Sequence, residues 1–170
     1  MLTANKLAAF IYFTCQGRIF LQAGEEFART KAGEGNSYCS SPEVNMLHWD
    51  RTVEYKELVD YYRGLIRLRK KLPGLCDKSS LAAGRITDRR VHRDGVVSFQ
   101  VDNRPSGSKV GDDLFLIYNT DSDNCAIELP QGTWVILADG READCHRAVA
   151  EKEKSILVEA HSGMLLRRQG

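Results

Sequence analysis

Apolar positions along this chain change their period twice. From Asn5 to Gln16, Leu7, Ala8, Ile11, Tyr12 and Cys15 recur at helical spacing while Ala9, Phe10 and Phe13 fill in between, so the predicted helix is apolar around most of its circumference. Such a helix expects partners on several sides. Gly17 suits its C-cap, and Ile19-Phe20-Leu21 is short, wholly apolar and unalternating, which predicts a strand buried on both faces of a parallel sheet. No second βα unit precedes it, so this end reads as the last piece of a larger α/β arrangement. From Thr52 to Lys71 an amphipathic helix is predicted, with Val53, Leu58, Tyr61 or Tyr62, Leu65, Ile66 and Leu68 inward. Lys56, Glu57, Arg63, Arg67, Arg69 and Lys70 are expected outward or at its C-terminal end, where cations complement the helix dipole. Leu72-Pro73-Gly74 stops it.

From about Leu75 the period shortens to that of strands. Arg85–Val91, Val96–Val101, Asp113–Asn119, Cys125–Leu129, Thr133–Ala138, Ser155–Glu159 and Met164–Arg168 are short runs with β-branched or aromatic content. Turn signals separate them: Arg93-Asp94-Gly95, Thr120 to Asn124, Pro130-Gln131-Gly132 and Asp139-Gly140, with a polar loop expected from Pro105 to Gly111. This spacing predicts an antiparallel sandwich. Phe99, Phe115, Tyr118 and Trp134 all lie within apolar runs and are expected to be buried, which favours a structural role for the sandwich.

Between the halves, Gly17 to Asp50 carries the residues with chemistry to offer. The apolar strand passes through Gly24 into Glu25-Glu26 and then into a long polar loop, the way an α/β barrel builds a binding site at a strand's C-terminal end. Adjacent carboxylates diverge, so Glu25 and Glu26 make a poor glycosidase pair, which needs two carboxyls facing one bond from separate elements. One of them is expected to hydrogen-bond loop backbone or an arginine such as Arg29. Tyr38 and Trp49 could each offer a face to a sugar ring or pin the loop down.

Composition narrows the functional classes. Lys and Arg total 24 against 23 for Asp and Glu, a net charge of +1 that gives no sign of a nucleic-acid or acidic-membrane partner. The longest apolar-leaning run, Leu7 to Phe13, is too short to span a bilayer, and no basic leader precedes it. A soluble cytoplasmic chain is expected. The five cysteines are unclustered and read as reduced thiols, with a Cys125–Cys145 disulfide left open, and the four histidines are scattered, so no metal or cofactor is called for. No nucleophile, base and orienting acid gather in the sequence, which disfavours an independent enzyme of another class.

Gln16 through Phe27, Arg29-Thr30-Lys31, Asn36-Ser37-Tyr38 and Pro42 through Trp49 resemble the end of the catalytic barrel of type I pullulanases, starch-debranching members of the α-amylase superfamily. Phe115 to Asn119, Glu128 to Trp134 and Val135 to Gly140 resemble their C-terminal domain, so the resemblance covers almost the whole chain. The family usually has Ile-Pro at Arg18-Ile19 and Asp at His48. The resemblance implies an α+β fold: two helices and one strand with a long loop as the remnant of a (β/α)8 barrel over residues 1–73, then an antiparallel β-sandwich over residues 74–170. It implies retaining hydrolysis of α-1,6 branch linkages in pullulan, amylopectin and branched dextrins by an Asp nucleophile, a Glu acid/base and a second Asp. This chain is expected to begin after all three, to be inactive alone, and to shape and stabilise the barrel. Glu26, Arg29, Asn36, Tyr38 and Asn45 are the candidates for contact with α-glucan. The alternative is a non-catalytic carbohydrate-binding or structural sandwich. The unpaired strand and apolar helix would encourage self-association.

Overall fold

A computed structural model describes residues 2–105, 108 and 111–169. The expected loop from Pro105 to Gly111 lies largely outside the described residues.

The apolar N-terminal segment forms α1 (Leu2–Thr14), and the amphipathic stretch forms a short turn α3 (Arg51–Glu54) followed by α4 (Lys56–Lys71). Between them lie only single turns, among them the 3₁₀ segments Glu25–Phe27 and Ser37–Cys39 and the short helix α2 (Pro42–Asn45). A further turn, α5 (Pro73–Cys76), follows α4. Among the described residues eight strands follow: β1 (Ile86–Arg93), β2 (Val96–Asp102), β3 (Asp113–Asn119), β4 (Cys125–Glu128), β5 (Thr133–Ala138), β6 (Ala143–Ala148), β7 (Ser155–Val158) and β8 (Ser162–Gln169).

Six strands form one antiparallel sheet in the order β1-β2-β3-β8-β5-β6, and β4 pairs with β7 as a separate ribbon. In the central pairing Leu116 faces Leu165 and Phe115 faces Leu166, so β3 alternates between two apolar environments. Leu114, Leu116 and Leu165 join Phe10, Leu58, Leu65 and Leu68 in the core under the helices. Phe115, Ile117 and Leu166 join Trp134, Ile127 and Val158 under the ribbon. The central strand β3 is thus buried on both faces, as its uninterrupted apolar run demands. Each such leucine or phenylalanine contributes about 1.5–3 kcal/mol relative to exposure.

Helix and sheet meet at two glycines. A Cβ on Gly64 of α4 would lie 2.3 Å from the Ala143 carbonyl oxygen, and one on Gly163 of β8 would lie 2.1 Å from the Phe10 ring. Only glycine admits such approaches. The Phe10 ring meets Tyr118 edge-on at 5.8 Å, and Phe13 meets Tyr62 at 5.6 Å.

Four sequence expectations need correction. Ile19–Leu21 forms no strand; it runs without ladder hydrogen bonds because no described strand lies beside it, and Phe20 is 89% exposed. Val53 is outward rather than inward, because the helix breaks at Tyr55 (φ −107°, ψ 36°) and α3 follows a different face from α4. Arg69 is buried rather than solvated: its guanidinium donates to the carbonyls of Phe13 at 2.8 Å, Cys15 at 2.5 Å and Gly17 at 2.6 Å, satisfying one carbonyl of the last turn of α1 and two of the segment that follows it. The strand β6 was not predicted; its sequence ADCHRA has no apolar face, and it is held at the sheet edge by β5 and by Asp144, which pairs with Arg67 and Lys71 of α4. All five cysteines are free, Cys125 and Cys145 included.

Candidate functional site

The residues with chemistry to offer sit on the turns between α1 and α4. Gly24 adopts φ 101°, and Ala28 closes the following 3₁₀ turn at φ 54°. Backbone bonds from Phe27 N and Arg29 N to Gly24 O, at 3.1 and 2.9 Å, hold this knuckle together. Glu26 turns its carboxylate back onto Gly24 N at 2.9 Å. That is the backbone role expected for one of the two carboxylates. Glu25 and Glu26 lie close enough to Tyr62 to join burial in pushing its hydroxyl up to about 12. The knuckle therefore sits against α4, with Phe27 wholly buried.

The loop beyond is braced by three polar side chains. Arg29 donates to Ala23 O at 3.3 Å and to Asn45 O. Asn45 donates its side-chain amide to Ser37 O at 2.9 Å and Ser40 O at 3.2 Å, and accepts from Lys31 Nζ at 3.3 Å. Lys31 also donates to the Ser37 hydroxyl. Arg51 closes the base of the loop, donating to Ala28 O at 2.7 Å with its guanidinium 4.6 Å from the centre of the Tyr55 ring. A cleft of about 330 Å³ opens beside this brace, lined by Thr30, Lys31, Val44, His48, Asp50 and Arg51 among others.

Of the five predicted contact residues, Glu26, Arg29 and Asn45 thus make hydrogen bonds within the loop, whereas Asn36 and Tyr38 project into solvent. The two aromatics left open by the sequence take different parts. Trp49 leans on Phe27 with ring centres 5.5 Å apart, and Tyr38 is 90% exposed. Lys31, Ser37 and Arg51 complete the brace, and sequence reasoning passed over them because their partners lie 6 to 23 residues away, beyond any local pattern. Among the described residues no three His, Cys, Asp or Glu side chains gather as a group able to hold a metal.

No protein-family profile matches the chain. It is 34% identical over 126 residues to the pullulanase of Bacillus subtilis (strain 168), an alignment that covers 74% of this chain and 17% of that enzyme. Its fold superposes on the pullulanase from Bacillus acidopullulyticus with a TM-score of 0.86 and 27% identity, over 98% of this chain and 20% of that one. A second solved structure, the Paenibacillus barengoltzii pullulanase complexed with maltohexaose and α-cyclodextrin, gives a TM-score of 0.83 and 30% identity over 99% and 25% of the two chains. The chain therefore spans about a fifth of the length of these relatives. By sequence and by fold it belongs with the pullulanases, as the counterpart of the C-terminal part of those enzymes.

Proposed function

We propose that this chain acts as the C-terminal part of a starch-debranching glycoside hydrolase, one that cleaves α-1,6-glucosidic bonds of pullulan, amylopectin and branched dextrins. The observation that carries this reading is the superposition over 98% of the chain on a pullulanase, polar loop and sandwich together. Residues 1–73 complete the catalytic barrel in this reading, and residues 74–170 form the sandwich that stabilises it. The loop from Arg29 to Trp49 would lie on the barrel's C-terminal face, where α/β barrels bind substrate. Glu26, Arg29, Asn36, Tyr38 and Asn45 shape the glucan subsites there, Asn36 and Tyr38 by contact and the others by bracing.

The chain alone does not hydrolyse glucans in this account, because its two adjacent loop carboxylates cannot flank one glycosidic bond. Alone it exposes Phe20 and Val53, at 89% and 81%, and so tends to self-associate. Two assays test the proposal: reducing-end release from pullulan by the isolated chain, expected to be nil, and by a chimera in which this chain replaces the matching part of the Bacillus subtilis pullulanase, expected to be substantial. A folded but silent chimera would overturn it. The buried Phe115 and Trp134, 2% and 1% exposed, argue against a sandwich that binds glycan by itself.

A further inference from the structure

We propose that Tyr38 is a stacking platform for one glucose ring of an α-glucan, and that Asn45 is the positioning residue that holds it ready. This deepens the debranching reading and rests on it. Three observations combine. Tyr38 presents a large aromatic ring that is 90% exposed, so both of its faces are open to a ligand. The turn that carries it is braced: Asn45 donates to the carbonyls on either side of Tyr38, Ser37 O at 2.9 Å and Ser40 O at 3.2 Å. Ser40 N closes the same turn on Ser37 O at 3.1 Å. Lys31 and Arg29 fix Asn45 in turn, through its side-chain oxygen and its backbone carbonyl. Lastly, the exposed side chain of Asn36 lies two residues before the ring.

A pyranose ring presents axial C–H bonds on one face and hydroxyls around its rim. The C–H face suits the electron-rich face of a phenol, and the rim hydroxyls suit polar partners such as the phenol's own hydroxyl. An aromatic side chain with only two torsions, mounted on a braced turn, loses little freedom on binding. Trp49, 63% exposed, has one side of its ring against buried Phe27, so Tyr38 is the more open of the two aromatic faces.

The test is an NMR titration of the 170-residue chain with maltotetraose, following the Tyr38 ring and the amides of Ser37 to Ser40. Saturable shifts confined to this turn are expected. Tyr38→Ala should weaken binding about threefold to tenfold with the urea midpoint unchanged, and Tyr38→Phe should retain most of it. Asn45→Ala should raise the mobility of the Tyr38 ring and weaken binding while the sandwich signals stay in place. Unmoved Tyr38 signals, or wild-type binding by Tyr38→Ala, would overturn the platform; wild-type binding by Asn45→Ala would overturn the positioning role. The debranching reading fails separately: a chimera active on pullulan with an unresponsive Tyr38 sinks the platform alone, and a silent chimera with a responsive Tyr38 sinks the debranching reading.

Discussion

Replacing Gly163 by alanine should destabilise the chain, and the sign should reverse when Phe10 is removed. Alanine is ordinarily the better strand residue, by about 0.5–1 kcal/mol, because glycine loses more backbone freedom on folding. Here the new Cβ would stand 2.1 Å from Phe10 Cδ1 and 2.3 Å from Cε1, where ordinary contact begins at 3.4 Å. The ring must move by more than an ångström, yet it is fully enclosed and packed against Tyr118. Forced repacking of this kind costs about 1–3 kcal/mol and outweighs the propensity gain. In a Phe10→Ala background, itself weakened by about 3–5 kcal/mol, the obstructing ring is gone and Gly163→Ala should be neutral or stabilising by up to about 1 kcal/mol. The pair should therefore couple by about 1–3 kcal/mol. Urea unfolding of the four proteins, followed by far-UV circular dichroism and Trp134 fluorescence, completes the cycle. A Gly163→Ala variant as stable as wild type, or one equally damaging in both backgrounds, would refute the placement of α1 on β8.

Arg69→Met should cost about 2–4 kcal/mol in urea unfolding, since it strands three carbonyls at and just after the end of α1, and Arg69→Lys should recover only part of that because one ammonium cannot reproduce the fork. Unchanged stability in Arg69→Met would mean that water serves those carbonyls equally well. Acid should also weaken the fold. A backbone hydrogen bond from Ser79 and then the side chain of Arg85 hold Asp77 down to about 2, and the Arg104 side chain does the same for Asp102. Both carboxylates are depressed in the folded state, so their contribution is complete above about pH 4 and fades as the pH falls to about 2. The urea midpoint should drop across that window, less steeply in Asp77→Asn, and a flat profile would contradict the assignment.

Much of this architecture follows from local pattern. The fully apolar stretch of β3 required burial on two faces, and it lies between helices and ribbon. The helical spacing of Leu58, Leu65 and Leu68 selected the face of α4 that packs. What was not legible depends on partners distant in sequence. Ile19–Leu21 has the composition of a central strand, but a ladder needs neighbours and none lies beside it. Arg69 reads as one more cation at a helix end until α1 supplies its carbonyls from more than fifty residues away. Asp144, in the unpatterned β6, ties that strand to α4 through Arg67 and Lys71. In the loop, Tyr38, Asn45 and Arg29 are all candidates by sequence, but only the fold separates the exposed ring from the two groups that brace its turn.

The most direct test of the account is the product released from pullulan by the chimera carrying this chain in place of the matching part of the Bacillus subtilis enzyme. Pullulan consists of maltotriose units joined through α-1,6 bonds, so debranching chemistry yields maltotriose. The account predicts maltotriose as the main product of the chimera and none from the isolated chain. A well-folded chimera that releases nothing, or maltotriose from the chain alone, would contradict it.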